Sequence, residues 1–117
     1  MKTDFQTFEI RRRIAARPAT VYALWSDAKR KEAWFCWNGN GWTHDQYDAD
    51  LREGGHERVC FTNPNLGSFT YASHIFHMRR DTGLIYGYTM TGGNGPISVS
   101  QATVTLAATD HGTEVVY

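Results

Sequence analysis

Apolar and polar residues alternate along most of this chain. From residue 46 onward they exchange places at nearly every second position, the period of a half-buried β-strand. Turn-forming clusters cut this region into strands at Asn63-Pro64-Asn65, Asp81-Thr82-Gly83, residues 92–96 and Asp110-His111-Gly112. Residues 5–14 alternate as well. Phe8, Ile10 and Ile14 fall on one face and Thr7, Glu9, Arg11 and Arg13 on the other, which predicts an edge strand. Between these regions the period changes. Pro18 suits the first turn of a helix, where its missing N–H costs nothing. Val21, Leu24 and Trp25 then form an i, i+3, i+4 stripe. Ser26-Asp27 interrupts the stripe and can cap a second short helix over residues 28–34. Gly54-Gly55, at the start of a strand, predicts a positive φ or a bulge.

The hairpin around Asp81-Thr82-Gly83 predicts a cavity wall. If Arg80 pairs with Leu84, then Met78 faces Tyr86, Phe76 faces Tyr88 and His74 faces Met90. All six lie on one side, with Ile75, His77, Ile85, Gly87 and Thr89 on the other. In a later strand Ala102, Val104 and Leu106 share a face opposite Thr103 and Thr105. An antiparallel sheet with one aromatic face needs a cover.

Composition narrows the function. The chain has 117 residues, which fits one domain spanning 1–117. Lys plus Arg and Asp plus Glu are 12 each, so no net charge draws in nucleic acid or an anionic membrane. No stretch approaches the ~20 apolar residues of a membrane span, and the first residues lack the apolar run of a signal peptide. A soluble cytoplasmic protein is expected. Four Trp, six Tyr and six Phe exceed what a small core needs and point to a lined cavity or an interface.

Candidate chemistry is sparse. Cys36 and Cys60 are expected to be free thiols, Cys60 in the core and Cys36 the more reactive, in a loop. His74 and His77 are three apart in a strand and should point to opposite faces, and no Cys-x-x-Cys or His-x-His occurs, so no metal is expected. No cofactor is expected either. Gly92-Gly93-Asn94-Gly95 precedes a strand rather than a helix and reads as a hairpin loop, not a phosphate cradle. Arg11-Arg12-Arg13 reads as a solvated strand edge that deters pairing. Trp37 and Trp42 flank two Asn-Gly pairs, either as a connector whose tryptophans tuck into the core or as an aromatic lid. Among His74, Asp48, Asp50 and Glu57, only His74 stands on the predicted aromatic face, so it is the acid/base candidate if the protein is an enzyme.

Several segments carry a family resemblance. They are Ala15-Ala16-Arg17-Pro18 with Val21, Trp25 and Asp27; Trp34-Phe35; residues 50–55, Asp-Leu-Arg-Glu-Gly-Gly; Leu84-Ile85-Tyr86; Val104-Thr105-Leu106; and Gly112-Thr113. In these the chain resembles the START/Bet v 1-like (SRPBCC) superfamily, and within it the Hsp90 ATPase activator homologue 1-like family. The resemblance implies an α+β helix-grip fold: a curved antiparallel sheet with two short helices after the first strand. It also implies a long C-terminal helix across the sheet. This chain stops at Tyr117 inside the last strand, so either it is truncated before that helix or the sheet is covered by a partner subunit or an exchanged element, with a two-fold homodimer the favoured expectation.

The family shares a cavity rather than a catalytic motif. The expected function is therefore binding of a small apolar or aromatic molecule by Trp34, Trp37, Trp42, His74, Phe76, Met78, Tyr86, Tyr88 and Met90, with no nucleic-acid or membrane partner. The alternatives are a polyketide cyclase-like enzyme in the same cavity and a co-chaperone-like protein contact.

Overall fold

A computed structural model describes residues 2–117. The chain runs β1 (Arg11–Ile14), α1 (Pro18–Ser26), α2 (Ala28–Phe35), β2 (Thr43–His44), β3 (Asp48–Asp50), β4 (His56–Asn63), β5 (Gly67–Arg79), β6 (Gly83–Gly92), β7 (Gly95–Thr109) and β8 (Gly112–Val116). All strands belong to one curved antiparallel sheet ordered β1-β8-β7-β6-β5-β4-β2, with β3 also paired to β4. The first strand closes onto the last, Arg12 opposite Val115 and Ile14 opposite Thr113. The two helices pack on one face. This is the helix-grip architecture, α+β in class, with no helix after β8 among the described residues.

Local chemistry sets the helices. Pro18 occupies the first turn of α1. Asp27 then serves both helices: its N–H bonds the Ala23 carbonyl at 3.0 Å, closing α1, and its carboxylate accepts from the Arg30 N–H at 3.1 Å, capping α2. The predicted stripe holds, since Val21 and Trp25 are buried. With Leu84, Val104, Leu106 and Val115 they form an aliphatic core beneath α1. A second core lies toward β4 and is built from Cys36, Tyr47, Val59 and Tyr71. The expected strand over residues 5–14 is shorter. Phe5 and Phe8 are exposed, and ordered pairing begins where Ile10 and Tyr117 exchange backbone hydrogen bonds.

The β5–β6 register differs from the sequence expectation. The turn keeps three residues but is shifted one position toward the N-terminus, pairing Arg79 with Gly83 and Met78 with Leu84. A bulge follows between Ile75 and His77, leaving Phe76 without an opposite residue. Ile75 therefore faces Tyr86, Ser73 faces Tyr88 and Tyr71 faces Met90. The slip exchanges the faces of β5 up to Phe76 and leaves Met78 and the faces of β6 in place.

A long-range contact adjoins the bulge. The Gly54 N–H donates to the Ile75 carbonyl at 2.8 Å, and the Ile75 N–H donates to the Gly55 carbonyl at 3.0 Å. The turn before β4 thus continues the pairing of β5 on its β4 side. Glycine is required there: Gly54 has φ +76°, and a Cβ on Gly55 would lie 1.9 Å from the Asp50 carbonyl oxygen.

Candidate functional site

The helices and the sheet enclose an open-mouthed cavity of about 510 Å³. α1 contributes Leu24 and Trp25, and α2 contributes Lys31, Trp34 and Phe35. The sheet contributes Phe61 from β4, Tyr71 from β5, and Tyr86, Tyr88 and Met90 from β6. The β1–β8 edge supplies Arg12, Ile14, Val115 and Tyr117. Aromatic edges and faces interlock along this wall: Phe35 meets Tyr71 at 4.7 Å between ring centroids, Tyr71 meets Tyr88 at 5.3 Å, and Tyr86 lies along Tyr88 at 6.0 Å.

The floor of the cavity toward β4 holds a buried ion pair. Lys31 and Glu57 are each 2% exposed, and the Lys31 Nζ lies 2.6 Å from the Glu57 carboxylate. Three hydroxyls also donate to that carboxylate: Tyr47 at 2.5 Å, Ser73 at 2.6 Å and Tyr71 at 3.1 Å. The ammonium sits under a roof of rings, 5.0 Å from the Phe35 centroid, 5.3 Å from Tyr86 and 5.9 Å from Trp34. A buried charge survives only when paired and saturated with hydrogen bonds, and here both conditions are met.

Protonation follows from this arrangement. Burial alone raises the Glu57 carboxyl pKa, but the Lys31 charge and the hydrogen bonds from Lys31, Ser73 and Tyr47 outweigh it and hold the group below its ordinary value. Burial, then the neighbouring Glu57 charge, pushes the Tyr71 phenol well above the ordinary tyrosine range. The Tyr47 phenol rises through burial and its hydrogen bond to the same carboxylate. Burial pushes the Tyr86 phenol up to about 12, with Glu57 adding to the effect. Every phenol in the group is therefore a proton holder near neutral pH, and Glu57 is the acceptor.

The expected site residues divide. Trp34, Tyr86, Tyr88 and Met90 line the cavity. Trp34 stands at its mouth, pinned by a 2.7 Å hydrogen bond from its indole N–H to the Leu24 carbonyl. Met78 shares the covered face but packs into the α1 core rather than the cavity. Phe76 and His74 do not face it. The bulge puts Phe76 on the outer face, 61% exposed, where its ring lies over Gly87. His74, opposite Gly87, is also exposed on that face, and so is His77. The two histidines thus share a face, contrary to the alternation argument.

The tryptophan loop turns away as well. Trp37 is 53% exposed and folds against Gly39 of its own loop, while Trp42 packs on Phe69 at 5.8 Å. The cysteine expectation reverses too. Cys36 is buried, and burial followed by the Glu32 and Glu57 charges pushes its thiol up to about 11. Cys60 is the more accessible of the two, both being free.

Sequence reasoning missed Lys31, Tyr47, Tyr71 and Ser73, and passed over Glu57. A signal was present. Glu57, Val59 and Phe61 alternate in phase, so Glu57 occupies an apolar-face position. Lys31 precedes Trp34 and Phe35 at i+3 and i+4 on the apolar side of α2.

Known proteins match this fold and chain. The family model described as activator of Hsp90 ATPase homolog 1-like protein matches residues 15–117. The chain belongs to this family. Its members share the Bet v 1-like architecture. A solved protein from Rhizobium leguminosarum, described as putative uncharacterized, is 32% identical with a TM-score of 0.86. The match covers 93% of this chain and 71% of that one. A protein from Rhizobium loti is 25% identical with a TM-score of 0.84, covering 94% of this chain and 74% of its own. A Rhodobacter sphaeroides protein, at 21% identity and a TM-score of 0.73 over 92% of this chain and 67% of its own, shares the fold. No curated protein sequence matches the chain. No helix among the described residues is long and apolar enough to cross a membrane.

Proposed function

We propose that this Hsp90-activator-homologue family member binds a small, largely aromatic molecule in the cavity between its helices and its sheet. The observation that carries this reading is the cavity itself. Its volume of about 510 Å³ falls within the range of small-molecule sites, roughly 300–1,000 Å³. Its walls offer flat apolar surface from Trp25, Trp34, Phe35, Phe61, Tyr86 and Tyr88. The phenol oxygens of Tyr86 and Tyr88 give such a guest a few polar contacts, the usual means of fixing orientation in an apolar pocket.

Binding is tested with the neutral fluorescent probe phenylnaphthylamine, together with native mass spectrometry of freshly purified protein. Saturable binding that weakens about tenfold in Tyr86→Ala supports the reading, a loss consistent with removing a large aromatic contact. No bound species and no saturable probe binding overturns it.

A second reading, acid/base catalysis in the same cavity, is favoured by one observation. Lys31 and Tyr71 both face the cavity and both contact Glu57. In this reading Tyr71 gives its proton to a ligand oxygen and is reprotonated from the Lys31 ammonium through the Glu57 carboxylate that both contact, with His74 on the far face taking no part. Turnover of an aromatic polyketide or ester that disappears in Tyr71→Phe and persists in His74→Ala would establish it. Unchanged turnover in Tyr71→Phe would remove it.

A further inference from the structure

The cavity contains a second cation, and unlike Lys31 it is uncompensated. Arg11, Arg12 and Arg13 are consecutive on β1, so the middle one points to the opposite face. Arg11 meets Glu114 at 2.6 Å, and Arg13 reaches the same carboxylate at 3.9 Å. Arg12 lies opposite the buried Val115 and lines the cavity at its β1–β8 edge, beside Tyr117. Among the described residues no carboxylate lies within ion-pair distance of Arg12. Its one side-chain hydrogen bond runs to the Arg11 carbonyl at 2.9 Å. A guanidinium has five N–H donors in a planar fork, so most of this fork is available to a guest.

Lys31 does not compete for the role. Its charge is matched by Glu57 at 2.6 Å and closed off from solvent. Among the described residues, the cavity therefore has a neutralised polar floor, aromatic walls and one free positive group at its rim.

We propose that the cavity selects an aromatic molecule carrying one planar oxyanion, of the aryl carboxylate class, with Arg12 as the residue that binds the anionic group. The proposal rests on the reading that the cavity holds an aromatic guest. In this pose the ring system lies against Trp25, Trp34, Tyr86 and Tyr88. The carboxylate lies at the mouth, where it keeps part of its hydration and takes two parallel N–H bonds from Arg12. A bidentate guanidinium–carboxylate pair adds geometric selection to charge, which a lysine at the same position would not supply. The Tyr117 side chain, edge-on to Trp25 at 6.5 Å, borders the same corner.

The test uses two probes that differ by one group: anilinonaphthalene sulfonate, which is anionic, and phenylnaphthylamine, its neutral counterpart. Both are titrated at low salt into wild type, Arg12→Gln, Arg12→Lys and Arg11→Gln. Wild type should bind the anionic probe about tenfold more tightly than the neutral one, as expected for one charge-assisted pair near a surface. Arg12→Gln should abolish that preference and leave neutral binding unchanged. Arg12→Lys should retain only part of it. Arg11→Gln, the same charge change on the outer face, should leave it intact. Naphthoate should displace the anionic probe more effectively than naphthalenemethanol does, and that difference should vanish in Arg12→Gln.

Equal binding of the two probes by wild type overturns the Arg12 proposal and leaves the aromatic site standing. An equal loss in Arg11→Gln and Arg12→Gln overturns it too, since the preference would then reflect net charge. Binding of neither probe overturns both readings.

Discussion

Beneath α1 the covered face of the sheet is built mainly from apolar side chains, whereas beneath α2 it surrounds a charge. The first region packs Val21, Trp25, Leu84, Val104, Leu106 and Val115. The second arranges Tyr47, Val59, Tyr71 and Cys36 near the Lys31–Glu57 pair. Both are equally inaccessible, yet they fail in different ways. An aliphatic core loses stability in proportion to the volume removed, whatever the pH. A buried ion pair is held by mutual compensation, so removing one partner strands the other.

The largest expected effect comes from stranding the carboxylate. Lys31→Met should cost about 3–5 kcal/mol at neutral pH, because Glu57 would remain buried without its cation. The pH dependence should change as well. In wild type the Glu57 pKa is depressed on folding, so its contribution is present above the unfolded carboxyl value of about 4.3 and is lost as pH falls through the folded value. Wild type should therefore weaken on acidification below about pH 4. In Lys31→Met the sign reverses: protonation relieves the stranded charge, and the deficit relative to wild type should shrink on acidification. Urea unfolding at several pH values measures both. A small loss that does not vary with pH would mean that the α2 end behaves like the α1 end.

Leu84→Ala provides the opposite case. It should cost about 3 kcal/mol by opening space in the aliphatic cluster. The loss should be flat between about pH 5 and 8, where no group in that cluster titrates. A pH-dependent loss would show that the two ends are coupled.

Ser73→Ala sharpens the polar side. It removes the 2.6 Å donor from Glu57 but leaves Lys31, Tyr47 and Tyr71 in place. A loss of about 1.5 kcal/mol is expected, the scale of one hydrogen bond to a charged group. A loss as large as that of Lys31→Met would mean that the network cannot tolerate any missing member.

The smallest effect should come from His74→Ala. The side chain is exposed on the outer face, so stability should change by no more than about 0.5 kcal/mol. Binding of phenylnaphthylamine should be unaltered. Weakened binding in this variant would show that the outer face communicates with the cavity.

Local chemistry settled the helices and most of the turns, and the family resemblance implied the fold class. Pro18, the Val21–Leu24–Trp25 stripe and the Asp27 cap each act within a few residues of themselves, so their outcome can be read from a short window. The faces of β6 and β7 were equally legible, because a regular strand preserves alternation. The face of β5 was not. It depends on a bulge at Phe76, which adjoins backbone hydrogen bonds between Ile75 and the Gly54-Gly55 turn, about twenty residues away in sequence. One inserted residue moved His74 and Phe76 out of the cavity and brought Tyr71 and Ser73 to its wall and floor.

The ion pair follows the same logic. Lys31 and Glu57 each carry a visible anomaly, a charge in the apolar phase of its element. Neither pattern says that the other charge lies across the interface. Periodicity reports which side of an element a residue is on, and only packing between elements decides what it meets there. The sequence alone determined the strands and the two helices, and its family resemblance implied the curved sheet that grips them. The tertiary structure decided that this grip closes on an aromatic cavity with a neutralised charge pair at its floor and the Arg12 guanidinium at its rim.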